Sequence, residues 1–196
     1  MATTESLADK AYQQLRDKIV YGELLPEVVL SENELSKEMN MSRTPIRTAL
    51  SRLASEGFVV TFKNLGILVK DTSNKELLDI AALNDSMKNY AVDLAADGLI
   101  TFDIDKLKYH LNLQLEATEA ENYIEYVEQS ILFGRAMIEA SNNQIMIETY
   151  DSLRLRTLRS AILRWKRSPN EKHYSANDYN LKLLRAIEQK PMTQLK

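Results

Sequence analysis

The chain contains no cysteine, so it has neither a disulfide nor a thiolate metal site. Glycine and proline are scarce, with five and four in 196 residues. The long stretches free of both favour helices. No apolar run reaches the roughly 18 residues that read as a membrane span, and the N-terminus lacks an apolar signal core. The chain is therefore expected to be soluble and cytoplasmic, with no membrane partner. There are only two histidines, His110 and His173, far apart in sequence. They make a weak case for a metal and read as surface or rim residues. No Ser-His-Asp, His-Glu-x-x-His or phosphate-loop pattern occurs, so an enzyme has little support. No internal repeat or low-complexity tract is present.

The net charge of −3 does not by itself point to nucleic acid, but it hides a local bias. Residues 36–53 hold Lys37, Arg43, Arg47 and Arg52 against one acid, Glu38. A compact basic patch of this kind suffices for phosphate contact while the rest of the surface is acidic.

The most informative stretch is residues 31–57, SENELSKEMNMSRTPIRTALSRLASEG. It reads as two short helices broken at Asn40-Met41-Ser42. Leu35 and Met39 stand four apart on the first. Ser42 takes the N-cap position of the second, where its hydroxyl is expected to accept an orphan amide. Ile46, Leu50 and Leu53 recur at helical spacing and should face inward. Arg43, Thr44, Arg47, Ser51 and Arg52 then fall on other faces. A helix that presents Ser-Arg-Thr at its first turn and Arg47 one turn later can enter a major groove, where amides and hydroxyls meet phosphates and guanidinium forks reach guanine edges. This is a helix-turn-helix signature, and DNA is the first partner it points to. Gly57 ends the second helix. Phe58 to Phe62 and Ile67 to Val69 are rich in β-branched and aromatic residues. With residues 63–66 between them they predict a β-hairpin with a four-residue loop, placed as a wing. Ahead of the motif, residues 6–21 predict an amphipathic helix with Leu7, Ala11, Leu15 and Ile19 on one stripe. Gly22 closes it, and Pro26 keeps the next segment extended.

The run Tyr12, Leu15-Arg16, Ile19, Gly22, Leu24, Pro26, Leu30-Ser31-Glu32, Glu34-Leu35, Ser42 to Arg47, Ala49-Leu50, Leu53 and Glu56-Gly57 resembles the winged helix of GntR-type bacterial transcription regulators. The likeness covers about residues 8–70. Three places depart from the pattern. Glu27 stands where a glycine usually follows the proline, Thr48 where the recognition helix usually carries Glu, and the wing tip is Asn64-Leu65-Gly66 in place of Gly-Arg-Gly. The resemblance implies DNA contact by Asn33, Ser42, Arg43, Thr44, Pro45 and Arg47, and by Lys63, Asn64 and Gly66 of the wing.

A polar stretch at residues 71–74 marks a domain boundary, dividing the chain into 1–72, a winged helix-turn-helix, and 73–196. The second part predicts helices at 75–96, 103–117, 123–140, 144–167 and 173–187, each with the apolar stripe of a bundle member. The stripe of the first of these includes Ala81 and Leu83. Most tyrosines of this half are expected in the core with the hydroxyl at a rim. The arginine-rich helix 144–167 reads as a long helix whose charged faces pair with acids or flank a pocket, in preference to a second nucleic-acid surface; an arginine facing inward would suit a ligand carboxylate, and no position is singled out for it. Residues 132–143, 153–167 and 184–187 resemble the all-helical effector (FCD) domain of the FadR-like branch of the same regulators. Many such domains hold a divalent metal through one Asp and three His. The matching positions here are Ser130, Gly134 and Asn180. The fourth would lie in a further helix, for which residues 191–196 read as an opening turn. None of the three is a good metal ligand, so no metal and no cofactor is expected.

The fold expected is mainly α, a winged helix-turn-helix followed by a helical bundle. The resemblance implies a homodimeric transcription factor that reads a two-fold symmetric operator in double-stranded DNA, with its affinity set by a small-molecule effector in the helical domain. The alternative is a ligand-independent dimeric DNA-binding protein in which that domain only dimerises.

Overall fold

The computed structural model describes residues 6–62, 66–169, 171 and 174–189. It divides into two compact units between Ser73 and Asn74.

The first unit opens with α1 (Leu7–Val20). Ser6 caps it, its hydroxyl accepting the Asp9 N–H at 3.1 Å and donating to the Asp9 carboxylate at 2.6 Å. The helix ends in a Schellman motif. Gly22 takes φ 69°, its N–H bonds the Ile19 carbonyl and the Glu23 N–H bonds that of Lys18. Next comes a tight turn over Leu25, Pro26, Glu27 and Val28, closed by the Val28 N–H on the Leu25 carbonyl at 3.3 Å. Pro26 supplies its first central position, and Glu27 sits at the second with φ 70°. A turn with positive φ there is a type II turn, whose natural occupant is glycine. The proline thus sets a tight turn, and the extended segment expected after it begins at Val29.

β1 (Val29–Leu30) follows, then α2 (Glu32–Glu38), capped by Ser31. Asn40 at φ 51° closes α2 in a second Schellman motif, with the Met41 N–H on the Ser36 carbonyl. α3 (Arg43–Ser55) comes next, then β2 (Val59–Phe62) and β3 (Gly66–Val69). The three strands form an antiparallel sheet in the order β1-β3-β2. Gly66 pairs with Phe62, so the second wing strand starts one residue earlier than expected, and Lys63, Asn64 and Leu65 lie outside the described residues. The pairing of Val29 with Leu68 and of Leu30 with Ile67 was not predicted. Two residues are too few to leave an alternation pattern in sequence.

The core of this unit is Ala11, Tyr12, Leu15 and Ile19 from α1, Leu35 from α2, Ile46, Ala49, Leu50 and Leu53 from α3, and Phe58, Val59 and Val69 from the sheet. Helices α1 and α3 pack against each other. Each fully buried Leu or Ile contributes about 1.5–3 kcal/mol.

The second unit consists, among the described residues, of α4 (Asn74–Ala96), α5 (Ile104–Glu119), α6 (Tyr123–Glu139), α7 (Gln144–Arg167) and α8 (Ala176–Gln189). Asp103, Asn122 and Asn143 cap α5, α6 and α7 through their side chains. The last helix begins at Ala176, three residues later than expected; His173 lies outside the described residues. α6 packs on each of the other four. It is buried nearly all round, as a central helix must be. Leu107, Leu111, Phe133, Ala136, Met137 and Leu184 form the apolar cluster between α5, α6 and α8. On α4 the buried positions are Ile80, Met87 and Ala91, while Ala81 and Leu83 are exposed. The buried face of α4 is therefore narrower than the apolar stripe of its sequence.

Glu27→Gly should stabilise the first unit by about 1 kcal/mol, because the left-handed strain of an L-residue exceeds the extra chain entropy of glycine. A urea titration that leaves the midpoint unmoved or lowers it would contradict the assignment of the turn.

Candidate nucleic-acid interface

Burial of Ile46, Ala49, Leu50 and Leu53 turns the opposite side of α3 outward. Ser42, Arg43, Thr44, Arg47, Thr48, Ser51 and Arg52 are exposed there, and Pro45 is half-buried in the first turn. Ser42 has the backbone geometry of an N-cap, φ −68° and ψ 166°, yet its hydroxyl makes no capping bond. Pro45 removes one of the two possible donors. An N-cap side chain accepts from the second or third residue of the helix, and the third here has no N–H to give. The expectation that this hydroxyl serves the helix is thus corrected. It stays on the surface beside the first-turn residues Arg43 and Thr44.

The arginines of this helix differ in what holds them. Arg43 makes no hydrogen bond or ion pair among the described residues. Arg47 is gripped side-on by Glu32 at the start of α2. Its Nε–H reaches Oε1 at 3.1 Å and its Nη2–H reaches Oε2 at 2.9 Å. That hydrogen bond holds the Glu32 carboxyl below its ordinary range, with the charges of Arg47 and Arg43 adding to it. Arg52 is occupied elsewhere. Its guanidinium lies 3.6 Å from the centroid of the Tyr12 ring and pairs with Glu56 at 3.1 Å and with Asp9 at 3.7 Å. The Tyr12 hydroxyl in turn donates to Glu56 at 2.6 Å. This knot ties α1 to the end of α3, so Arg52 leaves the basic patch in which sequence placed it.

Asn33 and Lys37 are exposed on α2, and Gly66, at φ 87°, begins β3. Lys63 and Asn64 lie outside the described residues. The structure therefore brings Asn33, Ser42, Arg43, Thr44 and Arg47 onto the outer surfaces of α2 and α3. Sequence reasoning gave no role to Glu32 or to the Tyr12–Arg52–Glu56 knot. Their pairings span 15 and 44 residues, and no local periodicity reports them.

The interior of the second unit is polar along a seam between α5 and α8. Gln114, fully buried, donates to Asn177 at 2.7 Å and accepts from Asn180 at 2.8 Å; Asn177 donates to Thr118 at 2.9 Å. His110 is half-buried, with its Nδ1 2.8 Å from the Gln129 carboxamide oxygen. Tyr123, Tyr126 and Tyr150 are buried, whereas Tyr90 and Tyr179 are exposed. Burial pushes the Tyr126 hydroxyl up to about 12. On α7 the inward arginine is Arg159, 1% exposed.

The three positions matched to metal ligands do not fit a metal. A Cβ added to Gly134 would stand 2.6 Å from the Tyr150 hydroxyl and 3.6 Å from Lys88 Cδ, so protein atoms already fill the space a ligating side chain needs. Asn180 is buried with its amide N–H turned to Gln114, and a carboxamide and the Ser130 hydroxyl are both poor ligands for a transition metal.

Comparison with known proteins follows the same division. Residues 7–69 match the family described as bacterial regulatory proteins, gntR family, and residues 79–191 match the FCD domain. The gluconate operon transcriptional repressor of Bacillus licheniformis is 27% identical over 145 residues, which are 72% of this chain and 58% of that protein. The Nta operon transcriptional regulator of Aminobacter aminovorans is 29% identical over 148 residues, 74% of this chain and 69% of that one. Thus the chain spans 58% of the length of the first of these relatives. A GntR regulator structure from Rhodococcus sp. RHA1 shares the fold with a TM-score of 0.72 at 20% identity, over 92% of this chain and 85% of that one. The structure of E. coli McbR/YncC does so with 0.70 at 23%, over 96% and 89%.

The crowding at Gly134 has a measurable consequence. Gly134→Ala should cost about 1–3 kcal/mol in unfolding free energy, the price of overpacking, since Tyr150 is buried and its hydroxyl donates to the Ile131 carbonyl at 3.0 Å. Tyr150→Phe in the same background should return part of that loss. A neutral Gly134→Ala by urea denaturation would show that the site has room.

Proposed function

Because the chain belongs to the GntR family of bacterial regulatory proteins and carries an FCD domain, we propose that it is a transcription regulator. Its first unit binds operator DNA through α3, and its second unit dimerises and senses a small molecule. The observation that carries this reading is the outer face of α3, where Ser42, Arg43, Thr44 and Arg47 are exposed because Ile46, Ala49, Leu50 and Leu53 are buried behind them. Inserted in a major groove, Arg43 and Arg47 supply forks for guanine edges or phosphates. Ser42 and Thr44 add hydroxyls for phosphate oxygens, and Asn33 reaches the same backbone from α2. Lys63, Asn64 and Gly66 at the wing complete the contact surface, and Pro45 shapes the first turn. The protein works in the cytoplasm, where its DNA lies.

A lone winged helix contacts too few bases to find one site in a genome, so two subunits read two half-sites of a symmetric operator. The domains divide the labour as residues 1–72 for DNA and 73–196 for dimerisation and the effector. The effector acts by linkage, lowering DNA affinity by its preference for the arrangement that does not bind. It is held without a metal, by hydrogen bonds and by the buried charge of Arg159, which suits a carboxylate. A second reading, a dimer that answers to no ligand, draws on the packed state of the interior at Gly134.

Arg43→Ala and Arg47→Ala should each weaken specific DNA binding by about 1–3 kcal/mol. Arg52→Ala, which cuts the knot to Tyr12 and Glu56, should lower stability and leave specific affinity within a few-fold. Fluorescence anisotropy on a selected operator measures the affinities, and urea denaturation the stability. Wild-type affinity in folded Arg43→Ala and Arg47→Ala would remove α3 from the interface.

The full chain should be a dimer by light scattering, and a fragment of residues 1–72 a monomer. A dimeric fragment would move the subunit contact to the first unit.

A further inference from the structure

Arginine carries five N–H donors in a rigid plane. The side-on grip of Glu32 on Arg47 consumes two of them, Nε–H and one on Nη2. Three remain, and two of them, one on Nη1 and one on Nη2, point along the far edge of the plane. That edge is itself a two-pronged fork, the geometry that pairs with O6 and N7 of guanine. The Arg47 side chain is 68% exposed while that of Glu32 is 28% exposed, so the pair lies on the surface with the arginine outermost. Glu32 is in turn fixed. It is the first residue of α2, whose N-cap Ser31 accepts the Glu34 N–H at 3.4 Å. An acid in the first turn of a helix is also favoured by the helix dipole. The remaining neighbour that acts on this carboxylate is Arg43, one turn earlier on α3.

We propose that Glu32 is a specificity-determining positioning residue for DNA recognition, holding Arg47 side-on so that its outer fork meets a guanine edge and not a phosphate. The inference rests on the DNA-binding reading above. Two physical effects combine in it. The grip removes the rotamer freedom that a long exposed side chain otherwise loses on binding, so Arg47 arrives preorganised. The carboxylate also sets a negative charge beside the guanidinium, which disfavours the approach of a phosphate and leaves an uncharged base edge unopposed. An arginine without this partner swings to the nearest phosphate, which adds affinity for all sequences and discriminates among none.

The test is selection of binding sites from a randomised DNA duplex library by the full chain, followed by affinity measurements on the enriched site and on its single-base variants. The proteins compared are wild type, Arg47→Ala, Glu32→Gln, Arg47→Lys and the double variant Glu32→Gln/Arg47→Ala. Arg47→Ala identifies the base pair that Arg47 reads. Glu32→Gln should lose discrimination at that same pair, about tenfold or more, while binding to unrelated sequence holds or rises. Its dependence on salt should steepen by about one phosphate contact. Arg47→Lys should blur the same pair, since an ammonium cannot hold the carboxylate and fork a guanine together. It also carries the test if Glu32→Gln does not fold. The double variant should discriminate no worse than Arg47→Ala, as two members of one unit must.

The inference is overturned if folded Glu32→Gln keeps full discrimination, tightens every sequence equally, or blurs a pair that Arg47→Ala leaves sharp. Full discrimination by Arg47→Lys overturns it as well. A wild-type chain that enriches no motif would remove the DNA-binding reading itself, and this inference with it.

Discussion

Everything the first unit displays depends on one buried stripe. Ile46, Ala49, Leu50 and Leu53 lock α3 against α1, whose Ala11, Leu15 and Ile19 are as deeply buried. A helix has two sides, and fixing one fixes the other. The tight burial of four side chains fixes which face of α3 turns outward, the face that bears Arg43 and Arg47. The Tyr12–Arg52–Glu56 knot adds a polar clamp across the same helix pair. Its parts are partly exposed, so its contribution to stability is modest.

The same logic explains why arginines of one helix divide by task. Arg52 lies where α1 passes, and its charge is absorbed by Glu56, Asp9 and the face of Tyr12. Arg47, on the outer side, pairs with Glu32 in the first turn of α2. Arg43 meets no hydrogen-bonding partner among the described residues. The basic bias of residues 36–53 is therefore not a uniform patch. Of its three arginines, Arg52 is tied to α1, Arg47 is paired with α2, and Arg43 is open to solvent.

In the second unit the constraint is polar. Gln114, Asn177, Asn180 and Thr118 bond one another between α5 and α8, so each buried amide finds a partner inside the seam. Buried amides left unpaired are costly, which ties the position of α8 to its register on α5. Gly134 on α6 is likewise bound to its neighbour, because the Tyr150 hydroxyl stands where a side chain would begin. At Gly134 and Asn180 the interior is thus occupied by side-chain packing and amide hydrogen bonds.

By itself, the sequence determined the elements. Helical spacing of apolar residues marked α1 and α3, the glycines after them marked their ends, and the β-branched run after Gly57 marked the wing, because these signals act over one or two turns of chain. The exposed set Ser42, Arg43, Thr44 and Arg47 was legible for the same reason, since it is the complement of an apolar stripe. Tertiary structure alone decided which side chains hold one another. The grip of Glu32 on Arg47, the capture of Arg52 by Tyr12, the pairing of β1 with β3 and the filling of the space at Gly134 by Tyr150 all join residues far apart in the chain. The idle hydroxyl of Ser42 is a local exception, in that Pro45 three residues on removes one of its two possible donors. The others depend on how helices cross and how strands register. Those geometries follow from the packing of whole faces, and no window of sequence contains them.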